Sequence, residues 1–204
     1  MKAGKVAIAG FGFWRALGLL ACALALLQPA LSFAADWDID QLMQTLAKAK
    51  PGRANFVERK FMAILERPIE SSGELLYTAP DRLEKRTLRP KAESMVVDGN
   101  VMVIERGKRK HTLQLSDYPE LTGFIDSVRG TLAGDRKALE RSYKLKLDGS
   151  SENWTLVLTP SDARMANMVQ QIRIAGKRDN VSSIDVIQTD GDHSLMHIER
   201  IAAQ

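Results

Sequence analysis

With 204 residues the chain has room for one domain of ordinary size. Its 29 Lys and Arg exceed 25 Asp and Glu, but Lys2, Lys5 and Arg15 lie in the first 34 residues, which hold no acid. Residues 35–204 therefore carry 26 bases against 25 acids, a balance that excludes a polyanion surface built on bulk charge, and no nucleic-acid partner is expected. The single cysteine, Cys22, excludes disulfides and thiol chemistry from everything downstream.

The first 34 residues read as a secretory signal peptide. Three bases precede an apolar run from Ala16 to Leu27, and Ser32-Phe33-Ala34 supplies small residues at the −3 and −1 positions. The uninterrupted apolar core is short for a membrane span. Cleavage near Ala34-Ala35 is expected, leaving residues 35–204 as one exported domain. Leu19-Leu20-Ala21-Cys22 partly matches a lipidation motif, although Leu20 is large where that motif wants a small residue. A lipid on Cys22 would make the same domain a membrane-tethered receptor.

Asp36 to Lys50 reads as an amphipathic helix. Asp38 and Gln41 have capping-box spacing, Ile39, Leu42, Met43 and Leu46 form one stripe, and Pro51-Gly52 stops it. Arg53 to Leu65 follows as a strand, with Val57, Phe61, Ala63 and Leu65 in period two on the face expected to be buried. Glu66 to Ser72 reads as a polar turn around Pro68.

The stretch from Gly73 to Leu115 organises the rest. Four extended runs alternate with Ala79-Pro80, Arg89-Pro90-Lys91 and Asp98-Gly99. Prolines end strands because they remove a ladder donor, and Asp-Gly between β-branched runs marks a hairpin. The pattern is an antiparallel meander with a charged, solvated tip at Arg106 to Lys110. Its second run, Arg82 to Arg89, has only two aliphatic residues, which fits an edge strand or one whose inner face meets something polar.

Pro119 to Gly134 reads as a second helix with Leu121, Phe124, Ile125, Val128 and Leu132 on one stripe. Gly123 and Gly130 lower its propensity, as suits either a movable cover or a close packing contact. After a short helical turn at Asp135 to Ser142, β patterning resumes over Tyr143–Leu147, Trp154–Thr159, Met168–Ala175, Val181–Gln188 and His193–Ile201. About ten strands and two principal helices are expected in an antiparallel sheet that curls.

Catalytic and metal-ligating patterns are thin. No nucleophile elbow, phosphate loop or His-Glu-x-x-His run is present. On a strand His193 and His197 would lie about 13 Å apart, too far to share a metal. Nothing implies a cofactor, and a binding module is expected rather than an enzyme. A curled sheet with two amphipathic helices either closes into a solid core or encloses an apolar pocket.

Several motifs, each weak alone, occur in one order along residues 35–204. An N-terminal amphipathic helix precedes Asn55-Phe56-Val57-Glu58-Arg59-Lys60-Phe61. Gly73-Glu74-Leu75-Leu76-Tyr77 then leads to Pro80-x-Arg82-Leu83, followed by Val96-Val97-Asp98-Gly99-Asn100 and Leu156-Val157-Leu158-Thr159-Pro160. Together they resemble the periplasmic outer-membrane lipoprotein carriers, LolA. The resemblance implies a mainly-β fold, an unclosed antiparallel β-barrel with a helical lid. It also implies a monomer that shields the acyl chains of a lipoprotein, or of another lipid such as a glycolipid, on the way to the outer membrane. Its partners would be an inner-membrane exporter and an outer-membrane acceptor. The lipid-binding residues expected are Leu42 and Met43 from the first helix, Phe124 and Val128 from the second, and Leu75, Tyr77, Leu83 and Val96 from the meander. Ala79 stands where the best-known carriers place a lid-holding Arg, so a loosely shut lid is expected. Leu83 and Lys85 replace bulky aromatics, and the chain ends directly after its last predicted strand.

Overall fold

The structure, a computed structural model, describes residues 37–49 and 52–201. The expected signal peptide, its cleavage site and Cys22 lie outside the described residues. From Trp37 onward the chain forms one compact unit. Its strands are β1 (Arg53–Phe61), β2 (Ile69–Thr78), β3 (Arg82–Arg89), β4 (Glu93–Asp98), β5 (Val101–Arg106), β6 (Arg109–Gln114), β7 (Tyr143–Ser150), β8 (Asn153–Pro160), β9 (Val169–Lys177), β10 (Asn180–Gln188) and β11 (His193–Arg200). Its helices are α1 (Ile39–Ala47), α2 (Pro119–Ala133), α3 (Arg136–Glu140) and α4 (Ala163–Ala166), with a 3₁₀ turn at Leu115–Asp117.

All eleven strands form one antiparallel sheet in the order β6-β5-β4-β3-β2-β1-β11-β10-β9-β8-β7. Two meanders, β1 to β6 and β7 to β11, are thus joined side by side through β1 and β11, whose register runs from Ala54↔Arg200 to Phe61↔His193. The outermost strands, β6 and β7, are consecutive in sequence, and the segment linking them carries the 3₁₀ turn, α2 and α3. The sheet is not closed into a barrel; its two edges are connected by helix.

The concave face follows from the registers. Phe56 and Glu58 of β1 stand opposite Gly73 and Ser71 of β2 and opposite Ile198 and Met196 of β11. Two buried clusters form on that face. The larger packs Leu42, Met43 and Leu46 of α1 and Leu139 of α3 against Trp154, Leu156, Leu158, Ile172 and Ile174. The smaller packs Ile125 of α2 and Leu115 against Val97 and Met102.

Local sequence explains the helix ends. Asp38 caps α1, its carboxylate accepting from the Gln41 amide at 2.8 Å, as the capping-box spacing predicts. Gly134 ends α2 in the left-handed region at φ 64°, and the Asp135 amide donates to the Gly130 carbonyl at 2.8 Å. The glycines inside α2 are packing contacts: a Cβ on Gly123 would stand 1.6 Å from Met165 Cε, and one on Gly130 2.8 Å from Leu139 Cδ2.

The structure corrects several expectations. The buried side of β1 is Phe56 and Glu58, while Val57 is exposed and Ala63 and Leu65 fall beyond the strand's end. A buried, paired carboxylate reads as polar in the sequence and reverses the apparent phase. β2 starts at Ile69, because β1 extends to Lys60 and gives those extra residues a partner. β3 lies between β2 and β4 and is no edge strand. The β4–β5 register pairs Asp98 with Val101, so the two-residue turn is Gly99-Asn100, with Gly99 supplying φ 55°.

Gly134 and Gly99 provide an internally controlled test. A Cβ on Gly134 would meet the Met43 carbonyl oxygen at 2.1 Å, whereas nothing lies within 4 Å of one on Gly99. Left-handed strain applies to both, and the backbone clash to Gly134 alone. Gly99→Ala is expected to cost about 1 kcal/mol and Gly134→Ala about 2–4 kcal/mol in urea unfolding.

Candidate functional site

Between the two buried clusters the concave face meets space. A cavity of about 210 Å³ lies there, with mostly apolar walls. Its floor takes Leu75 and Tyr77 from β2, Leu83 and Lys85 from β3, and Met95 and Val97 from β4. These residues share one side because the registers align Tyr77 with Leu83 and Val97, and Leu75 with Lys85 and Met95. Across β1 the floor continues through Ala54, Met196, Ile198 and Ile184. The roof is the inner stripe of α2, with Phe124, Val128 and Leu132, joined by Leu46 from the end of α1. Ser127 and Thr131 also turn inward on α2 and are buried. Their hydroxyls donate to the Phe124 and Ser127 carbonyls at 2.6 and 2.7 Å, so the helix satisfies its own polar groups.

Of the eight residues expected from sequence, Leu75, Tyr77, Leu83, Phe124 and Val128 are brought together around this cavity. Leu42 and Met43 lie in the larger buried cluster, and Leu46, one turn further along α1, lines the cavity. Val96 is not among the lining residues, which include its neighbours Met95 and Val97. A one-residue step along a strand changes face, so period two forces this alternation. The contributions from β10 and β11 depend on the long-range β1–β11 register, for which the local sequence carries no signal.

Lys85, a charged residue of the floor, pairs with a carboxylate beside it. Glu58 is buried, and its carboxylate accepts from Lys85 Nζ at 2.5 Å, Ser194 Oγ at 2.7 Å and Ser71 Oγ at 3.4 Å, with Lys60 Nζ at 3.8 Å. Burial pushes its carboxyl up, but Lys85, Ser194 and Lys60 together outweigh burial and hold it below the ordinary value of 4.5. This is the polar inner contact that the sparse aliphatics of β3 suggested. Among the described residues no group of three or more His, Cys, Asp and Glu could hold a metal ion, and no helix is long and apolar enough to cross a membrane. His193 stacks on Phe61 with ring centroids 4.3 Å apart, and that packing accounts for it.

Residues 31–202 match the model of the family described as outer membrane lipoprotein carrier protein LolA-like. The chain belongs to that family. Comparison with curated protein sequences finds no match. Among solved structures the chain is similar to the LolA superfamily protein NE2245 from Nitrosomonas europaea, at 10% identity and a TM-score of 0.44 over 80% of this chain and 93% of that one. It is also similar to the MucA/MucB complex of Pseudomonas aeruginosa, at 15% identity and 0.46 over 82% and 58%, and to LprF from Mycobacterium bovis, at 11% and 0.36 over 81% and 94%. These scores lie below 0.5, and the family assignment rests on the sequence match.

The helix that roofs the cavity, α2, is tied at two points. Tyr143 Oη donates to the Gly123 carbonyl at 2.9 Å in a buried contact, with burial pushing the phenol up to about 12. Arg129 Nη2 reaches from α2 to the Gly99 carbonyl in the β4–β5 turn at 2.8 Å. Ala79 can offer no such bond, and the helix supplies one from its own side. That tie is incomplete, because Arg129 Nε is buried without a hydrogen-bond partner.

Two outcomes follow. Arg129→Met is expected to lower stability by about 1 kcal/mol and to speed amide exchange across residues 119–133 more than elsewhere; uniform acceleration would mean that the contact does not hold the lid. Glu58 has a folded pKa below its unfolded value, so its stabilisation is full above about 4.5 and is lost as pH falls through the folded value. Glu58→Gln should be less stable than wild type near neutral pH and should lose less stability on acidification, with urea midpoints across the pH series as the measurement.

Proposed function

We propose that this protein is a periplasmic carrier that shields the acyl chains of a lipoprotein or another lipid during transfer towards the outer membrane. The observation that carries this reading is an apolar cavity between an unclosed sheet and a helix tied across it, in a chain of the outer-membrane lipoprotein carrier family. The protein acts as a binding module and not as an enzyme. Residues 1–34 direct export and are removed near Ala34-Ala35. Cargo passes from an inner-membrane exporter to an outer-membrane acceptor, and the carrier works as a monomer.

Leu75, Tyr77, Leu83, Phe124 and Val128 contact the acyl chain, joined by Leu46 and Met95. About twelve methylenes at about 0.8 kcal/mol each give roughly 10 kcal/mol before ordering costs, sufficient for a carrier. At about 210 Å³ the cavity is smaller than the roughly 300–1,000 Å³ of typical ligand pockets, so a long chain enters only as α2 moves outward.

A fluorescent fatty-acyl probe tests the reading. Saturable uptake is expected, weakened about tenfold by Val128→Trp, which fills the space beneath the roof, with the melting transition little changed. Absence of uptake by the folded wild type, across several lipid classes, would overturn it.

A further inference from the structure

An ammonium group is an unexpected lining for a greasy pocket. Lys85 occupies the concave face of β3, flanked by Leu75 on β2 and Met95 on β4, and all three line the cavity. Its side chain reaches across β2 to Glu58 on β1, and its Nζ lies 4.8 Å from the centroid of the Phe56 ring. The crossing is open because β2 has Gly73 opposite Phe56. That position accepts nothing larger, since the strand is irregular there and a Cβ would stand 1.9 Å from the Arg86 carbonyl oxygen. Three features therefore cooperate to hold one ammonium over the cavity floor.

A leucine or methionine in place of Lys85 would continue the apolar floor. A buried ion pair adds little net stability over such a residue, because desolvation offsets the Coulomb gain. The local charge is also unbalanced. Lys85 and Lys60 both lie within 4 Å of the single Glu58 carboxylate, which leaves one positive charge in excess. Glu58 takes one of the three donors that an ammonium carries, and the side chain keeps 24% of its surface exposed.

We infer that the cargo has an anionic head, a carboxylate or a phosphate, at one end of its acyl chain, and that Lys85 receives it. In the empty cavity Glu58 holds the ammonium in position. With cargo bound, the head group takes the remaining donors of Lys85 and balances the excess charge, while the chain extends between Leu75, Leu83 and Val128. This inference rests on the carrier reading and adds a head-group class to it.

The experiment is displacement of a neutral naphthylamine dye by three ligands of equal chain length: dodecanoate, dodecyl phosphate and the uncharged methyl ester of dodecanoic acid. At about pH 8 both anions are ionised. Wild type is expected to prefer at least one anion over the ester about tenfold, as one charge-assisted hydrogen bond allows, and the favoured anion distinguishes carboxylate from phosphate cargo. The double variant Lys85→Met with Glu58→Gln should bind all three alike, and Lys85→Arg should keep the preference. Lys85→Gln, which leaves Glu58 a donor, is the second variant if the double one does not fold, and it should also lose the preference. Equal binding of anions and ester by wild type overturns the inference while leaving the carrier reading intact. A preference that survives loss of the ammonium overturns it as well. Displacement by none of the three would instead count against the carrier reading itself.

Discussion

The pairing of β1 with β11 is the constraint from which the rest of this structure follows. It brings residues 53–61 against residues 193–200 and fuses two meanders into one sheet of eleven strands. Without it each meander would leave an apolar face without cover. With it the sheet curls and its outermost strands are the two that the helical segment connects. That segment, Leu115 to Glu140, has a fixed length and attaches to both edges, so it spans the opening in place of further strand pairing. Lid and opening are therefore consequences of one topology.

The same arrangement divides the core. Large side chains concentrate on β7 to β9 beneath α1, α3 and α4, and on β4 and β5 beneath the start of α2. In the middle, β1 to β3 present Leu75, Tyr77 and Leu83 on their concave side, interspersed with Ala54, Gly73, Ser71 and the polar Glu58–Lys85 pair. The small and polar members of that set leave the space beneath α2 unfilled. The helix cannot sink into the gap, since Tyr143 holds it through the Gly123 carbonyl and Gly134 sets it against the backbone of α1. Close-packed interiors transmit such props instead of deforming around them, and the space persists.

Much of this architecture was legible in the sequence, because its signals are local. Proline and glycine punctuation gave the meander, the 3/4 repeat gave both long helices, and alternation in β2 placed Leu75 and Tyr77 on one side. What was hidden depends on partners distant in sequence. The phase of β1 turns on Glu58, whose burial makes sense only beside Lys85, Ser71 and Ser194. Val96 and Val97 are chemically alike, and only the register with Leu83 decides which of them faces inward. Leu42, Met43 and Leu46 share a helical stripe, and which of them meets the cavity depends on where α1 ends against the sheet. In the sequence Gly123 suits a movable cover as well as a close contact, and only Met165, 1.6 Å from where its Cβ would be, makes it a contact.

Arg129 fastens α2 to the β4–β5 turn only in part. A complete latch would satisfy every donor of Arg129, but here one nitrogen reaches the Gly99 carbonyl and Nε remains buried without a partner. One hydrogen bond contributes about 1 kcal/mol net, and an orphaned buried donor costs about as much. Arg129 thus adds little to the shut state, which rests on the buried Tyr143–Gly123 hydrogen bond and on the packing of α2 into the two buried clusters. Under the proposed function an acyl chain would replace part of that packing with contact of the same kind. A ligand shifts a conformational equilibrium only by its differential affinity for the two states. On the carrier function proposed above, cargo that makes apolar contacts of that kind with α2 further out would need little extra binding energy to hold the helix there.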